Sequence, residues 1–164
     1  MLYDANAAFA DRLTAAGIRT RPATEAYLED MRGNYQGRGE IVALPVTTED
    51  VATIVRHCSD ARVGLLPYGG GTGLVAGQIS IDGPMPLILS LEKMTAIRAT
   101  YPDESTMVVE AGVTLADVQK AADDIGRLFP LSYGSKDSAR IGGGLAVNSG
   151  GLNVLRYGMA RELC

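Results

Sequence analysis

The placement of glycine constrains this chain more than any other feature. Of its twenty glycines, Gly69, Gly70, Gly71, Gly73 and Gly77 fall in one stretch, and Gly134, Gly142, Gly143, Gly144, Gly150, Gly151 and Gly158 fall in a second. A residue without Cβ can adopt left-handed backbone conformations and lets backbone amides come close to a ligand. Turns of a β-rich domain explain one such cluster more readily than two. Two glycine-rich loops separated by ordinary sequence suggest two backbone surfaces approaching the same ligand.

Composition narrows the field. A chain of 164 residues with 46% hydrophobic residues can bury one core, so a single globular domain is expected. Its net charge of −4 gives no general attraction for a nucleic-acid backbone. The longest apolar stretches, Ile41 to Val46 and Pro86 to Leu91, fall far below the roughly 18 residues of a membrane-spanning helix. Two cysteines, Cys58 and Cys164, exclude a disulfide scaffold and a four-thiolate zinc site, and a single histidine, His57, excludes a multi-histidine metal site, so no metal is expected. The first thirty residues carry Asp4, Asp11, Glu25 and Glu29 and do not resemble a signal or transit peptide. A cytoplasmic address is the expectation, with peripheral association with a membrane left open.

Asp4 is placed to cap a first helix carrying Phe9, Leu13 and Ala16 and ended by Gly17. The segment Tyr27 to Gly39 is polar and glycine-punctuated, which predicts an ordered loop. Ile41 to Leu44 reads as a strand closed by Pro45. Thr47 and Asp50 then form a capping box for a helix with Val51, Ile54, Val55 and Cys58 inward. Val63 to Leu66 reads as the next strand and delivers the chain to the first glycine cluster, which completes a βαβ pattern and implies a small parallel sheet. Leu87 to Leu91 reads as a third buried strand. Ala96 to Tyr101 and Thr106 to Ala111 form an antiparallel hairpin around Pro102 to Ser105. Thr114 and Asp117 repeat the capping spacing before a helix with Leu115, Val118, Ala122 and Ile125 inward and Gly126 at its end. No linker composition marks a boundary inside the chain, and Val154, Leu155, Met159 and Leu163 follow without an evident closing element.

The first cluster, LLPYGGGTGLVAGQ, is a buried strand, a proline that fixes its exit, and glycines whose amides can point at a phosphate, with the Thr72 hydroxyl as a further donor. Gly71, Gly73 and Ala76 match G-x-G-x-x-A, and Glu92 stands where a ribose-binding acid would be sought. Yet that fingerprint must open a helix, and Gly77, Gly83, Pro84 and Pro86 leave little room for one. No glycine is followed by Lys and then Ser or Thr, so the P-loop reading is poorer still.

PYGGGTGLVAG, followed further on by LFPLSYGSKDSARIGGGLAVNSGGLNVLRYG, resembles the FAD-binding domain of the vanillyl-alcohol oxidase type, and within it the D-2-hydroxy-acid dehydrogenases acting on D-lactate, glycolate or D-2-hydroxyglutarate. YLEDMRGNYQGRGE, PVTTEDV and VVEAGVTLADV agree with this resemblance. It implies an α+β fold, a small parallel βαβ unit followed by an antiparallel α/β subdomain, with the chain as the N-terminal portion of an FAD-binding domain and a substrate domain beyond residue 164.

The resemblance further implies that Pro67, Gly69, Gly70, Gly71, Thr72, Gly73 and Leu74 wrap the FAD pyrophosphate, with Gly77 and Gln78 closing the turn. Pro130, Leu131, Gly134, Ser135, Ser138, Ile141, Gly142, Gly143, Asn148 and Gly151 would line the rest of the cofactor, and Tyr157 and Gly158 close the motif. Near relatives often carry Asn where Gly71 stands, and AKGS and TNAGG where this chain has SKDS and VNSGG. Asp137 and Val147 are therefore departures, and a carboxylate near phosphates is an electrostatic cost unless it points away. Neither loop contains the His or Cys that anchors flavin covalently in some relatives, so noncovalent FAD is expected. His57 and Cys58 read as helix residues without a catalytic role. Lys136 and Arg156 lie inside the motif region and can offset phosphate charge.

The function implied is oxidation of a small-molecule D-2-hydroxy acid with transfer of electrons to an acceptor, with a homodimer left open. The catalytic base would lie outside this sequence. The rivals are a noncatalytic flavin- or nucleotide-binding module or truncated product, and a related FAD-linked oxidase of alditols or sugar lactones.

Overall fold

Leu87–Ser90 is buried at every position, as a strand covered on both faces must be. In the computed structural model, which describes residues 1–164, it is a central strand of a four-stranded sheet. Numbered along the chain, the strands are β1 Thr20–Pro22, β2 Ile41–Ala43, β3 Leu65–Tyr68 and β4 Leu87–Ser90, in the order β1-β2-β4-β3. β2 and β3 each pair with β4 in parallel, while β1 runs antiparallel to β2. The βαβ connection expected from the sequence is present, with β4 inserted between its two strands. Two of the three residues of β1 are solvent-exposed, so it has no apolar run to announce it. Its three residues are defined by pairing with β2.

Alternation along the strands sorts the sheet into two faces. Ile41, Ala43, Leu87 and Leu89 pack with Phe9 and Leu13 of α1 (Ala7–Ala15) and with Ile54 and Cys58 of α2 (Thr48–Ala61). Val42, Leu44 and Ile88 pack on the other side with Tyr27, Leu66 and Tyr68. Each Leu or Ile buried this way contributes about 1.5–3 kcal/mol. α2 opens with the expected Thr47–Asp50 capping box and ends at Arg62 in a left-handed conformation. The sequence expectation fails at four details here. Asn6 caps α1, because its side chain is the one within reach of the Phe9 amide, whereas Asp4 accepts from the Met85 amide at 2.6 Å. Ala16 is exposed at the end of α1, and Val55 turns outward on α2. β3 begins two residues later than expected and runs through Pro67 to Tyr68, because Val63 bridges Tyr3 instead.

The chain divides into two compact units, Met1–Lys93 and Met94–Cys164. The sequence showed no boundary because the join is a short turn with none of the Gly, Pro or Ser that mark a linker. In the second unit, β5 Ile97–Tyr101 and β6 Thr106–Val109 form the expected hairpin. α3 Leu115–Asp124 follows, capped by the Thr114 hydroxyl, with Leu115, Val118 and Ala122 buried and Ile125 only half-buried at the cap. Leu115, Leu131 and Ala160 form the core, with Phe129, Tyr133, Ile141, Leu145 and Leu163 against it. Closing elements do exist after α4 (Ile141–Ala146): α5 Val154–Tyr157 and a 3₁₀ turn over Ala160–Leu163 that buries Ala160. No helix is long and apolar enough to cross a membrane.

Candidate functional site

The first glycine cluster leaves the sheet at the carboxyl end of β3, and no helix follows it before β4. None of the backbone amides from Gly69 to Val75 donates to another group of the protein. Backbone N–H groups are strong donors that folded proteins rarely leave unpaired unless solvent or a ligand takes them. Gly71 is left-handed at φ +68°, and a Cβ there would fall on the Tyr68 hydroxyl. Gln78 holds the loop from its other end, its Nε2 donating to the Gly73 carbonyl at 3.1 Å and to that of Gly71 at 3.4 Å. Nothing stands near the Cβ position of Gly77. Leu74 and Val75 expose apolar side chains at the loop tip.

Glu92 is not available as a ribose ligand. Its carboxylate accepts from both the Arg21 guanidinium, at 3.1 and 3.2 Å, and the Ser90 hydroxyl at 3.2 Å, and the Tyr27 phenol donates to it as well. Burial would by itself raise the Glu92 carboxyl, but the hydrogen bond from Tyr27 and the charge of Arg21 outweigh it and hold the group below its usual range. Burial and the neighbouring carboxylate push the Tyr27 phenol up. Burial, with a smaller contribution from Tyr27, does the same for Tyr68. Sequence reading missed this cluster, since Arg21, Tyr27, Ser90 and Glu92 come from four separate places in the chain.

The second cluster lies on the second unit. The amides of Gly134, Ser135, Lys136 and Asp137 have no acceptor in the protein, and the Cβ positions of Gly134 and Gly143 face open space. Lys136, Asp137 and Ser138 are solvent-exposed. Other members are occupied by the fold. A Cβ on Gly142 would stand 2.8 Å from the Ala111 Cβ, and its amide donates to the Ala111 carbonyl. A Cβ on Gly151 would strike the Ser132 carbonyl. The Asn148 side chain accepts from the Arg161 amide, and Leu131 belongs to the core. The Ile141 amide donates to Val113, the Pro130 carbonyl accepts from Asn153, and the Tyr157 ring lies under the Arg156 guanidinium.

A cavity of about 450 Å³ is elsewhere on the second unit, lined by residues such as Gln119, Lys120, Asp123, Arg127, Phe129 and Lys136. It contains none of the glycines, and two of its three cations, Lys120 and Arg127, are already engaged by Asp124 and Ser105. His57 accepts from Arg12 at 2.9 Å, which gives the only histidine a structural partner. Burial pushes the Cys58 thiol up to about 11, so it is an inert apolar group at neutral pH.

Amides without partners beside missing side chains are what a diphosphate requires, and the first loop fits that group without a cationic side chain. Comparison with known proteins agrees. The FAD binding domain family matches residues 39–164. A D-2-hydroxyglutarate dehydrogenase of Xanthomonas citri pv. viticola is 35% identical over 149 residues, 90% of this chain and 31% of its own length. A D-2-hydroxyglutarate–pyruvate transhydrogenase of Saccharomyces cerevisiae is 32% identical over 133 residues, 81% of this chain and 26% of its own. The mitochondrial D-2-hydroxyglutarate dehydrogenase of Bos taurus is 35% identical over 132 residues, 80% of this chain and 24% of its own. The chain thus spans less than a third of the length of these curated relatives. Among solved structures, an alkyldihydroxyacetonephosphate synthase superposes with a TM-score of 0.83 at 18% identity, covering 98% of this chain and 32% of that one. The 6-hydroxy-D-nicotine oxidase of Arthrobacter nicotinovorans gives 0.69 at 23%, covering 98% and 31%.

Proposed function

The chain belongs to the FAD binding domain family, with the α+β fold of the vanillyl-alcohol oxidase type, and we propose that it is the N-terminal, FAD-holding part of a longer flavin-dependent dehydrogenase of D-2-hydroxy acids. The observation that carries this reading is the run of partnerless amides from Gly69 to Val75 at the end of a parallel strand. Those amides bind the cofactor diphosphate, Thr72 adds a hydroxyl, and Gln78 keeps the loop closed. Within the second unit, Gly134 and Ser135 have free amides and Gly134 and Gly143 have open Cβ positions, so these are its ligand-facing candidates. Gly142, Gly151, Leu131 and Asn148 act behind them by holding the backbone in place.

Removal of the C2 hydride of a D-2-hydroxy acid, and delivery of its electrons to an acceptor, is chemistry supplied by FAD when bound. This chain binds and orients. In this reading the base for the hydroxyl proton and the groups for the substrate carboxylate come from the remainder of the longer protein, and the chain alone is expected to lack dehydrogenase activity. D-2-Hydroxyglutarate is the favoured substrate because the Xanthomonas and bovine relatives are named for it.

Purification of a protein carrying this segment tests the reading. It is expected to be yellow, to release all its flavin on acid precipitation, and to bleach anaerobically with D-2-hydroxyglutarate, D-lactate or glycolate. A colourless protein that FAD cannot reconstitute overturns the assignment. Flavin fluorescence left on the precipitate overturns noncovalent binding, and bleaching by an alditol or sugar lactone in place of the hydroxy acids moves the protein to another branch.

A further inference from the structure

Tyr68 sits at the end of β3, directly before the glycine loop, and has no part in the binding scheme above. Its ring packs on Tyr27 with centroids 4.7 Å apart and planes tilted by 58°. A phenylalanine would serve that packing equally well. The hydroxyl, however, donates to the Ala26 carbonyl at 2.7 Å, in the 3₁₀ turn over Glu25–Tyr27. The same oxygen fills the space beside the Gly71 Cα, with its ring carbon Cζ 3.0 Å from where a Cβ would be. Gln78 grips the Gly71 carbonyl from another direction. Tyr27 is itself fixed through its hydroxyl by Arg21 and Glu92. A continuous line of contacts therefore runs from the end of β4 through Tyr27 and the Ala26 peptide to Tyr68 and Gly71.

We propose that Tyr68 is a positioning residue whose hydroxyl, anchored on Ala26, fixes Gly71 in its left-handed conformation and so sets the direction in which the loop amides face the cofactor diphosphate. The inference rests on the FAD reading for its purpose, though the Tyr68–Gly71 coupling is a property of the chain itself. The loop has no other side-chain brace on this side, since Thr72 makes no hydrogen bond within the protein.

A double-mutant cycle tests it: FAD is titrated into the protein carrying this segment, unaltered and as Tyr68→Phe, Gly71→Ala and the double variant. Tyr68→Phe keeps the stacked ring and is expected to weaken FAD about three- to tenfold, the range of one lost hydrogen bond. Gly71→Ala is expected to cost at least about fivefold less affinity in the Tyr68→Phe background than in the unaltered one, because the severe overlap with the oxygen is removed and only the milder contact with the ring carbon Cζ and the left-handed strain remain. A role in packing alone predicts additive losses. Additivity, or unchanged affinity in Tyr68→Phe, overturns the proposal. If the unaltered protein carrying this segment takes up no FAD, the function proposed above is what fails, and the same cycle read by urea unfolding decides the brace. Non-additive unfolding free energies then support it, and additive ones overturn it.

Discussion

After β3 the glycines leave donors open, whereas in the second unit several of them let one backbone lie against another. The amides of Gly69 to Val75 are free and side chains hold the loop from outside, Tyr68 at Gly71 and Gln78 at Gly71 and Gly73. Gly142 and Gly151 instead meet Ala111 and the Ser132 peptide so closely that no Cβ fits. Only Gly134 and Gly143 of the second cluster face open space. A glycine-rich motif can thus combine two jobs, presenting a backbone to a ligand and packing that backbone. What stands at each Cβ position separates the two.

Substitutions at these glycines sharpen the contrast. Gly151→Ala is expected to have the largest effect, a loss of about 3 kcal/mol or more in denaturant unfolding, since the obstacle is backbone that cannot swing away. A loss within about 0.5 kcal/mol would put Gly151 in the ligand-facing group. Gly73→Val should do the reverse. The nearest obstacle is the flexible end of Gln78, so the fold tolerates it, while a side chain beside the amides weakens FAD about a hundredfold, or about 2.7 kcal/mol. Thr72→Ala, which removes one donor, should weaken FAD by only about 0.5–1.5 kcal/mol. Equal losses in the two titrations would mean the loop does not act through its backbone.

The supports of the first loop are also partly electrostatic. Because the Glu92 carboxyl is held below its ordinary value, its stabilisation is complete above the unfolded-state pKa and is lost as pH falls through the folded one. Glu92→Gln should therefore flatten the fall of stability below about pH 4.5, by about 1 kcal/mol at most for a partly exposed pair. Denaturant midpoints at pH 6 and pH 3 measure it, and an unchanged slope removes Glu92 from the network's role. The smallest effect belongs to Gly143→Ala. With open space at its Cβ and a helical position in α4, it should gain about 0.5 kcal/mol of stability, and a simultaneous loss of FAD affinity would mark that position as ligand-facing.

Features carried by neighbours in sequence were legible before the structure. The Thr47–Asp50 box, the all-buried run of β4, the hairpin turn and the helix stop at Gly126 all depend on residues a few positions apart. β1, the Asn6 cap and the brace on Gly71 were not legible. The exposed residues of β1 become a strand only because β2 pairs with them, and Tyr68 finds Ala26 only once β3 is laid beside the rest of the sheet. The division at Lys93 escaped notice because compactness depends on which contacts form, and the turn there has ordinary composition.

Both outer strands of the four-stranded sheet contain a proline, Pro22 in β1 and Pro67 in β3. An edge strand is a template onto which a foreign strand can zip, and the ring nitrogen of proline has no hydrogen to offer it. Pro67 therefore protects against self-assembly as well as steering the chain into its glycines. Replacing Pro22 with a β-branched residue would lengthen the unguarded edge, and the consequence would be seen first in colloidal behaviour: turbidity on concentration and a growing scattering radius, with flavin uptake still intact.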